Sequence, residues 1–327
     1  MQNLVIAGSG TPSPGNIGVL WQGGYNINAD DVFSVNHDTC LKWLAIRAYG
    51  ISFHGKAVDA GACQRHYVLV DGRPELTLEN SRYGLNNAGD YAATDYISLT
   101  NTACTGAGCG PNTIDLTDDQ FNSGTLADGP ACFMSWAGFI HFPAVSEYKL
   151  SNVHMENLAT GGAAFCSDRT VRYIHRLQIA NSEFSQDNAG VHLFALNSNT
   201  ALTQTTITGS VFLFNDLTLS PNPARGQGYL YDQFIGNMFP PASFTTNKPG
   251  TDELTLVGNH YAGSLTLAGD WLVLTAIGET ANGAFTNSTT GGVTIIGNST
   301  TPLPAGAAAK YVCVTSGGLI IQSATPC

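Results

Sequence analysis

Charge is the first thing this chain is short of. Only 11% of its 327 residues are Asp, Glu, Lys or Arg, well under the usual quarter. Lys and Arg number 13 against 24 Asp and Glu, a net charge of −11. The few cations form no stripe, which excludes a nucleic-acid binder, because phosphate neutralisation needs concentrated positive charge. No apolar run approaches about 18 residues, so no transmembrane helix is expected. The opening "MQNLVIAGSGTPSPG" has no basic segment ahead of its short apolar core, so no signal peptide is expected either. It reads as the middle of a repeat with a Met in front. No C-x-x-C pair occurs, which argues against a zinc ribbon or a thioredoxin-type motif. Few segments carry a 3.6-residue apolar period.

Glycine and asparagine, by contrast, are plentiful, at 37 and 25. Both tolerate positive φ, so the chain must turn often. Short alternating apolar runs fill the space between the turns, which is an all-β pattern. The eight cysteines are Cys40, Cys63, Cys104, Cys109, Cys132, Cys166, Cys313 and Cys327. An even number suits disulfides and an oxidising compartment. Cys104–Cys109 and Cys313–Cys327 would close short loops. Separations of 23 and 34 residues would set Cys40–Cys63 and Cys132–Cys166 on adjacent repeats. Buried free thiols are the alternative.

One short segment is written again and again: "LTLENSRYG" at 76–84, "LQIANSEF" at 177–184, "TTITGSVF" at 205–212, "LTLVGNHY" at 254–261 and "VTIIGNST" at 293–300. Its closing polar residue serves as an anchor, in the series Asn80, Asn101, Asp118, Asn157, Asn181, Ser210, Asn237, Asn259 and Asn298. With double gaps halved, the unit is about 22 residues, the signature of a solenoid. An aromatic follows each strong anchor: Tyr83, Phe121, Phe184, Phe212, Phe239, Tyr261. Short strands in a unit of that length describe a parallel β-helix, with coils about 4.8 Å apart and like residues in ladders. An antiparallel sandwich or barrel would share the turns but would not need the repeated anchor.

The "ITGSVFLFN" and "LVGNHY" segments resemble those of right-handed β-helices of the pectin-lyase-like family, and among these phage tailspike and tail-fibre proteins. The ending "YVCVTSGGLIIQSATPC" is similar to the short Cys-bounded tails that close virion fibres. The resemblance implies a β-helix over 1–300 and a short C-terminal β segment at 301–327 that caps or oligomerises. It implies a homotrimer on the virion surface or outside the cell that binds, and in an enzymatic version cleaves, a bacterial surface polysaccharide. Other virion proteins are expected partners; nucleic acid, membrane insertion, metals and cofactors are not. A non-catalytic fibre or adhesin and a secreted polysaccharide lyase or hydrolase remain the alternatives.

Polar chemistry concentrates at 147–192, where Glu147, His154, Glu156, Asp168, Arg169, Arg172, His175, Arg176, Glu183, Asp187 and His192 fall together. Arg169, Arg172 and Arg176 could hold an acidic sugar bidentately; local pairing with Asp168 and Glu183 is the plainer alternative. Glycoside hydrolysis needs two carboxylates, about 5 Å apart for retention or 6.5–9.5 Å for inversion. Aligned on the anchors, Glu156 matches Ala180 and Glu183 matches Ala159 and Phe212, so no carboxylate ladder forms. Asp187, Glu183 and Glu156 are the acid and base candidates. Alternation that points Val191 and Leu193 inward points His192 and Phe194 outward, toward a sugar.

Overall fold

The computed structural model describes residues 2–8, 13–22, 26–45, 52–72, 75–84, 95–102, 113–122, 130–137, 147–171, 173–185, 190–197, 200–214, 217–219, 230–246, 252–297, 299–300, 311–314 and 320–323. Among the described residues there is no helix. The chain is all-β and its strands form long parallel sheets, one of 23 strands and one of seven. In the larger sheet, twelve successive strands pair in chain order. They run from Gln2–Ala7 through Glu75–Glu79, Glu147–Ser151 and Gln204–Thr208 to the second half of Phe285–Ile296. At about 4.8 Å per strand the row is roughly 50–55 Å long. Tyr311–Val314 and Ile320–Ser323 form a separate antiparallel pair.

Period-two alternation turns every second side chain inward. Leu78, Leu116, Leu150, Ile179, Ile207, Phe234 and Leu256 form one buried row across successive strands. A second row follows the corner: Tyr83 stacks on Phe121, Phe184 on Phe212, Phe212 on Phe239 and Phe239 on Tyr261, with centroids 4.6–5.8 Å apart. Met155 fills the place between Phe121 and Phe184. Every aromatic that trails an anchor is therefore core. In the seven-stranded sheet Trp21 stacks on Trp43 at 4.6 Å, with Phe53 edge-on to both.

The corner between the two rows sets the period. Asp31, Ala57, Asn80, Asp118, Asn152, Asn181, Gly209, Gly236, Gly258, Gly278 and Gly297 occupy it, all with φ between +50° and +69°. Asn, Asp and Gly suit this left-handed conformation. From Asn80 on, each corner N–H donates to the carbonyl just before the next corner, at 2.8–3.1 Å. The spacing is not constant at about 22 residues. It falls from 38 (Asn80 to Asp118) through 29 (Asn152 to Asn181) to 19 (Gly278 to Gly297).

This register corrects the anchor series. Asn80, Asp118 and Asn181 are corner residues, but Ser210, Asn237 and Asn259 stand one place later. Asn157 does not stack on Asn181. Asn152 does, its N–H donating to Ala180 at 3.0 Å, while Asn157 reaches Asn122 through its side chain at 3.3 Å. The "GPACFMS" and "GGAAFCS" segments pair at an offset of 31, with Met134 against Phe165.

The position after the corner is buried, and there the polar ladder runs. Ser81, Asp119, Ser182, Ser210, Asn237, Asn259 and Glu279 are each no more than 3% exposed. Their side-chain oxygens accept the backbone N–H of the preceding unit: Ser81 N–H to Asp119 Oδ1 at 2.7 Å, Ser182 N–H to Ser210 Oγ at 3.1 Å, Ser210 N–H to Asn237 Oδ1 at 2.9 Å and Asn237 N–H to Asn259 Oδ1 at 3.0 Å. Asn237 and Asn259 also donate from Nδ2 to the carbonyls of Ile207 and Phe234, both at 2.8 Å.

Two rungs are acids. Burial raises the Glu279 carboxyl above its ordinary value, against the hydrogen bonds it accepts from Tyr261 and Asn259. Burial lifts Asp119 further, to about 8, with the Ser81 bonds opposing, and Asp119 Oδ2 has no partner among the described residues. A carboxyl raised in the folded state contributes most below its unfolded pKa, and stability is lost as pH climbs from about 4 through about 8. Asp119→Asn keeps the acceptor for Ser81 and, by analogy with Asn237 and Asn259, gains a donor to the Leu78 carbonyl. The substitution is expected to raise stability by about 1–3 kcal/mol at pH 8 and by little at pH 4. Urea unfolding at the two pH values checks it; equal effects at both would show that Asp119 is not held protonated.

Candidate functional site

The strand after the corner carries its outward side chains in two rows. One row is Arg82, Gln120, His154, Glu183, Val211; the other is Gly84, Asn122, Glu156, Ser185. Because successive strands sit one spacing apart, His154 and Glu183 are direct neighbours, and Glu156 lies two residues along the same strand as His154. His154 Nε2 is 2.7 Å from Glu156 Oε1, and Nδ1 is 3.7 Å from Glu183 Oε2. Asn122 Nδ2 donates to the other Glu156 oxygen at 2.6 Å. Glu156 thus joins three strands: it also lends its backbone carbonyl to the Tyr96 hydroxyl at 3.2 Å. Two of the three predicted acids are therefore brought together, on either side of one imidazole. The anchor alignment hid this, because it matched Glu156 to Ala180 when its strand partner is Ser185.

This arrangement offers acceptors, donors and a titratable ring on a half-exposed surface. An inverting glycosidase needs an open gap for water between its two carboxyls, but here the ring fills the space between Glu156 and Glu183. The cluster suits sugar hydroxyls better than it suits an acid–base pair.

The other predicted residues lie elsewhere. Asp187 and Arg172 fall outside the described residues. Arg169 is exposed in the turn after the strand Ala163–Ser167, where Asp168 Oδ1 accepts the N–H of Thr170 at 2.8 Å. Arg176 is exposed just before Leu177–Ala180, with its carbonyl accepting from Tyr148 at 2.9 Å. The length of that strand separates it from Glu183, whose ionic neighbour is His154. His175 beside it bonds Thr203 Oγ1 at 2.9 Å; burial and then the Arg176 charge lower its pKa. Val191 and Leu193 are buried, as alternation requires. Phe194 departs from the expectation: it pairs with Phe165, packs on it at 5.5 Å and joins the edge of the core. It is not an outward platform for sugar. His192, opening the same strand, pairs with Ala163 and is half-buried.

Disulfides Cys40–Cys63 and Cys132–Cys166 are formed, with Cα atoms 5.7 and 6.1 Å apart, inside the bridgeable range. Cys104, Cys109 and Cys327 lie outside the described residues, as does the side chain of Cys313.

A cluster that sequence reasoning missed lies on the seven-stranded sheet. Asp95 is 6% exposed; its Oδ2 accepts the Ser135 hydroxyl at 2.8 Å and faces His66 Nδ1 at 3.5 Å. Ser98 Oγ is 3.4 Å from Ser135. The serine bonds the acid rather than the imidazole, so nothing activates it as a nucleophile. The signal that could have found it was register: Ser135 and Ser98 pair directly, as do His66 and Asp95, across strands 27–40 residues apart. Among the described residues no group of His, Cys, Asp and Glu is arranged to hold a metal ion.

Comparison with family models, with curated proteins and with solved structures finds no match for this chain.

The His154 cluster is half-exposed, and such pairs contribute little to folding. His154→Ala, Glu156→Gln and Glu183→Gln are each expected to change stability by less than about 1 kcal/mol in urea unfolding. A larger loss would make the cluster part of the scaffold.

Proposed function

We propose that this chain is a right-handed parallel β-helix of the pectin-lyase-like kind, acting as a virion tailspike or tail-fibre protein that recognises a bacterial surface polysaccharide. On this reading the helix spans 1–300, and 301–327, with its antiparallel pair, caps the fibre and joins a homotrimer. One observation carries the reading. Outward side chains able to bond sugar hydroxyls, Arg82, Gln120, Asn122, His154, Glu156 and Glu183, recur strand after strand on a rigid surface. A polysaccharide is itself a repeating ligand, and weak subsites in a row multiply into useful avidity. Disulfides that tie one repeat to the next suit an extracellular setting.

The ring between Glu156 and Glu183 favours binding over cleavage, so the non-catalytic fibre or adhesin stands ahead of the hydrolase or lyase. Screening against capsular and lipopolysaccharide glycans tests the reading. Binding is expected, with His154→Ala and Glu183→Gln weakening it at least about tenfold, which is about 1.4 kcal/mol. Failure to bind any surface glycan would remove the recognition role. Should fragments be released, Asp187→Asn, Glu183→Gln and Glu156→Gln identify the acid and base by loss of rate.

A further inference from the structure

One outward row changes character along the molecule. It reads Lys56, Glu79, Thr117, Ser151, Ala180 and Thr208, and then Ile235, Val257, Ile277 and Ile296. The corner beside it changes at the same place, from Asn or Asp up to Asn181 to Gly from Gly209 onward. Positive φ does not demand this switch, since Asn80, Asn152 and Asn181 adopt the same conformation. Nor does crowding within the chain: a Cβ on Gly236, Gly258, Gly278 or Gly297 would meet nothing within 4 Å. Across the corner, Met238 stands outward at 42% exposure, while Ile235 and Ile277 are 40% and 38% exposed. The result is a bare backbone ridge with apolar flanks, which lets another chain come close.

We propose that this ridge, with Gly236, Gly258 and Gly278 at its crest and Ile235, Val257 and Ile277 on its flank, is the surface on which a second copy of this chain docks side by side. Three arguments select a copy of itself. The chain has a net charge of −11, yet Glu253 is the single carboxylate in the outward rows before this crest, so like charges stay apart when two ridges meet. A second copy repeats at the same strand spacing, about 4.8 Å, so its side chains stay in step along the whole contact. Five strands of about eight residues around the corner cover roughly 600 Å² per copy, or about 1,200 Å² in all, the lower limit of a stable interface. The inference rests on the elongated stacked fold and on self-association, and not on the glycan reading.

The test uses the full chain. Gly236→Asn, Gly258→Asn and Gly278→Asn together place on the crest the residue that the earlier corners already carry. By sedimentation at micromolar concentration the unaltered protein is expected to be an oligomer and the triple variant a monomer, with the same circular dichroism. Ile235→Lys with Ile277→Lys, both on outward positions, is the second variant and is expected to give the same monomer should the first not fold. Glycan binding measured per chain is expected to survive in the monomer, so loss of assembly and loss of recognition are read separately. An unaltered protein that sediments as a monomer would overturn the proposal, as would a folded variant that keeps the oligomer's mass.

Discussion

Everything in this molecule hangs on one hydrogen bond repeated at a buried corner. A side-chain oxygen from one unit accepts the backbone N–H of the unit before it. The corner forces this solution. Left-handed residues such as Asn80, Asn152 and Gly236 reverse the chain sharply, and the next N–H then points into an apolar interior, away from any strand partner. An N–H buried without an acceptor costs about 1–3 kcal/mol. Ser and Asn are small enough to sit at the corner and polar enough to meet that N–H. The strands on either side are bound by ordinary parallel pairing, but the ladder fixes where each unit begins, and so which residues of one strand face which of the next.

Fixing the corner leaves the rest of each unit free to vary. Units lose half their length along the chain, from 38 residues to 19, while the corner, the inward aliphatic row and the inward aromatic row continue. Loop length costs little entropy once the ends are held, and loops are where such a scaffold carries chemistry. The long units contribute the polar outward rows around His154. The short ones leave almost nothing but strand and corner, and their outer surface becomes Thr, Ile and Val.

The all-β class and the stacked parallel strands were legible because period-two alternation and a recurring short segment survive variable insertions. Two disulfides were legible from separation alone, because 23 and 34 residues place Cys40 against Cys63 and Cys132 against Cys166. The exact register was not. Asn occurs both at the corner, as Asn181, and one place later, as Asn237, and a reader who aligns on the letter slips by one residue. In a sheet such a slip moves every side chain to the other face. It hid the contact of Glu156 and Glu183 with His154, and it made Asn157 stand in for Asn152. Phe194 misled for a related reason: alternation fails where a strand bends into a corner, and both Leu193 and Phe194 end against the core. The Asp95 cluster was silent because its members are spread over 70 residues and share no motif.

Native-state hydrogen exchange at the ladder amides addresses the central claim directly. The N–H groups of Ser182, Ser210 and Asn237, which donate to side chains rather than to a strand partner, should exchange as slowly as the amides of the central strands and open only with global unfolding. Asn237→Ala should release the Ser210 amide selectively while its strand neighbours stay protected. A Ser210 amide that exchanges at the rate of an open surface turn in the unaltered protein would contradict the account.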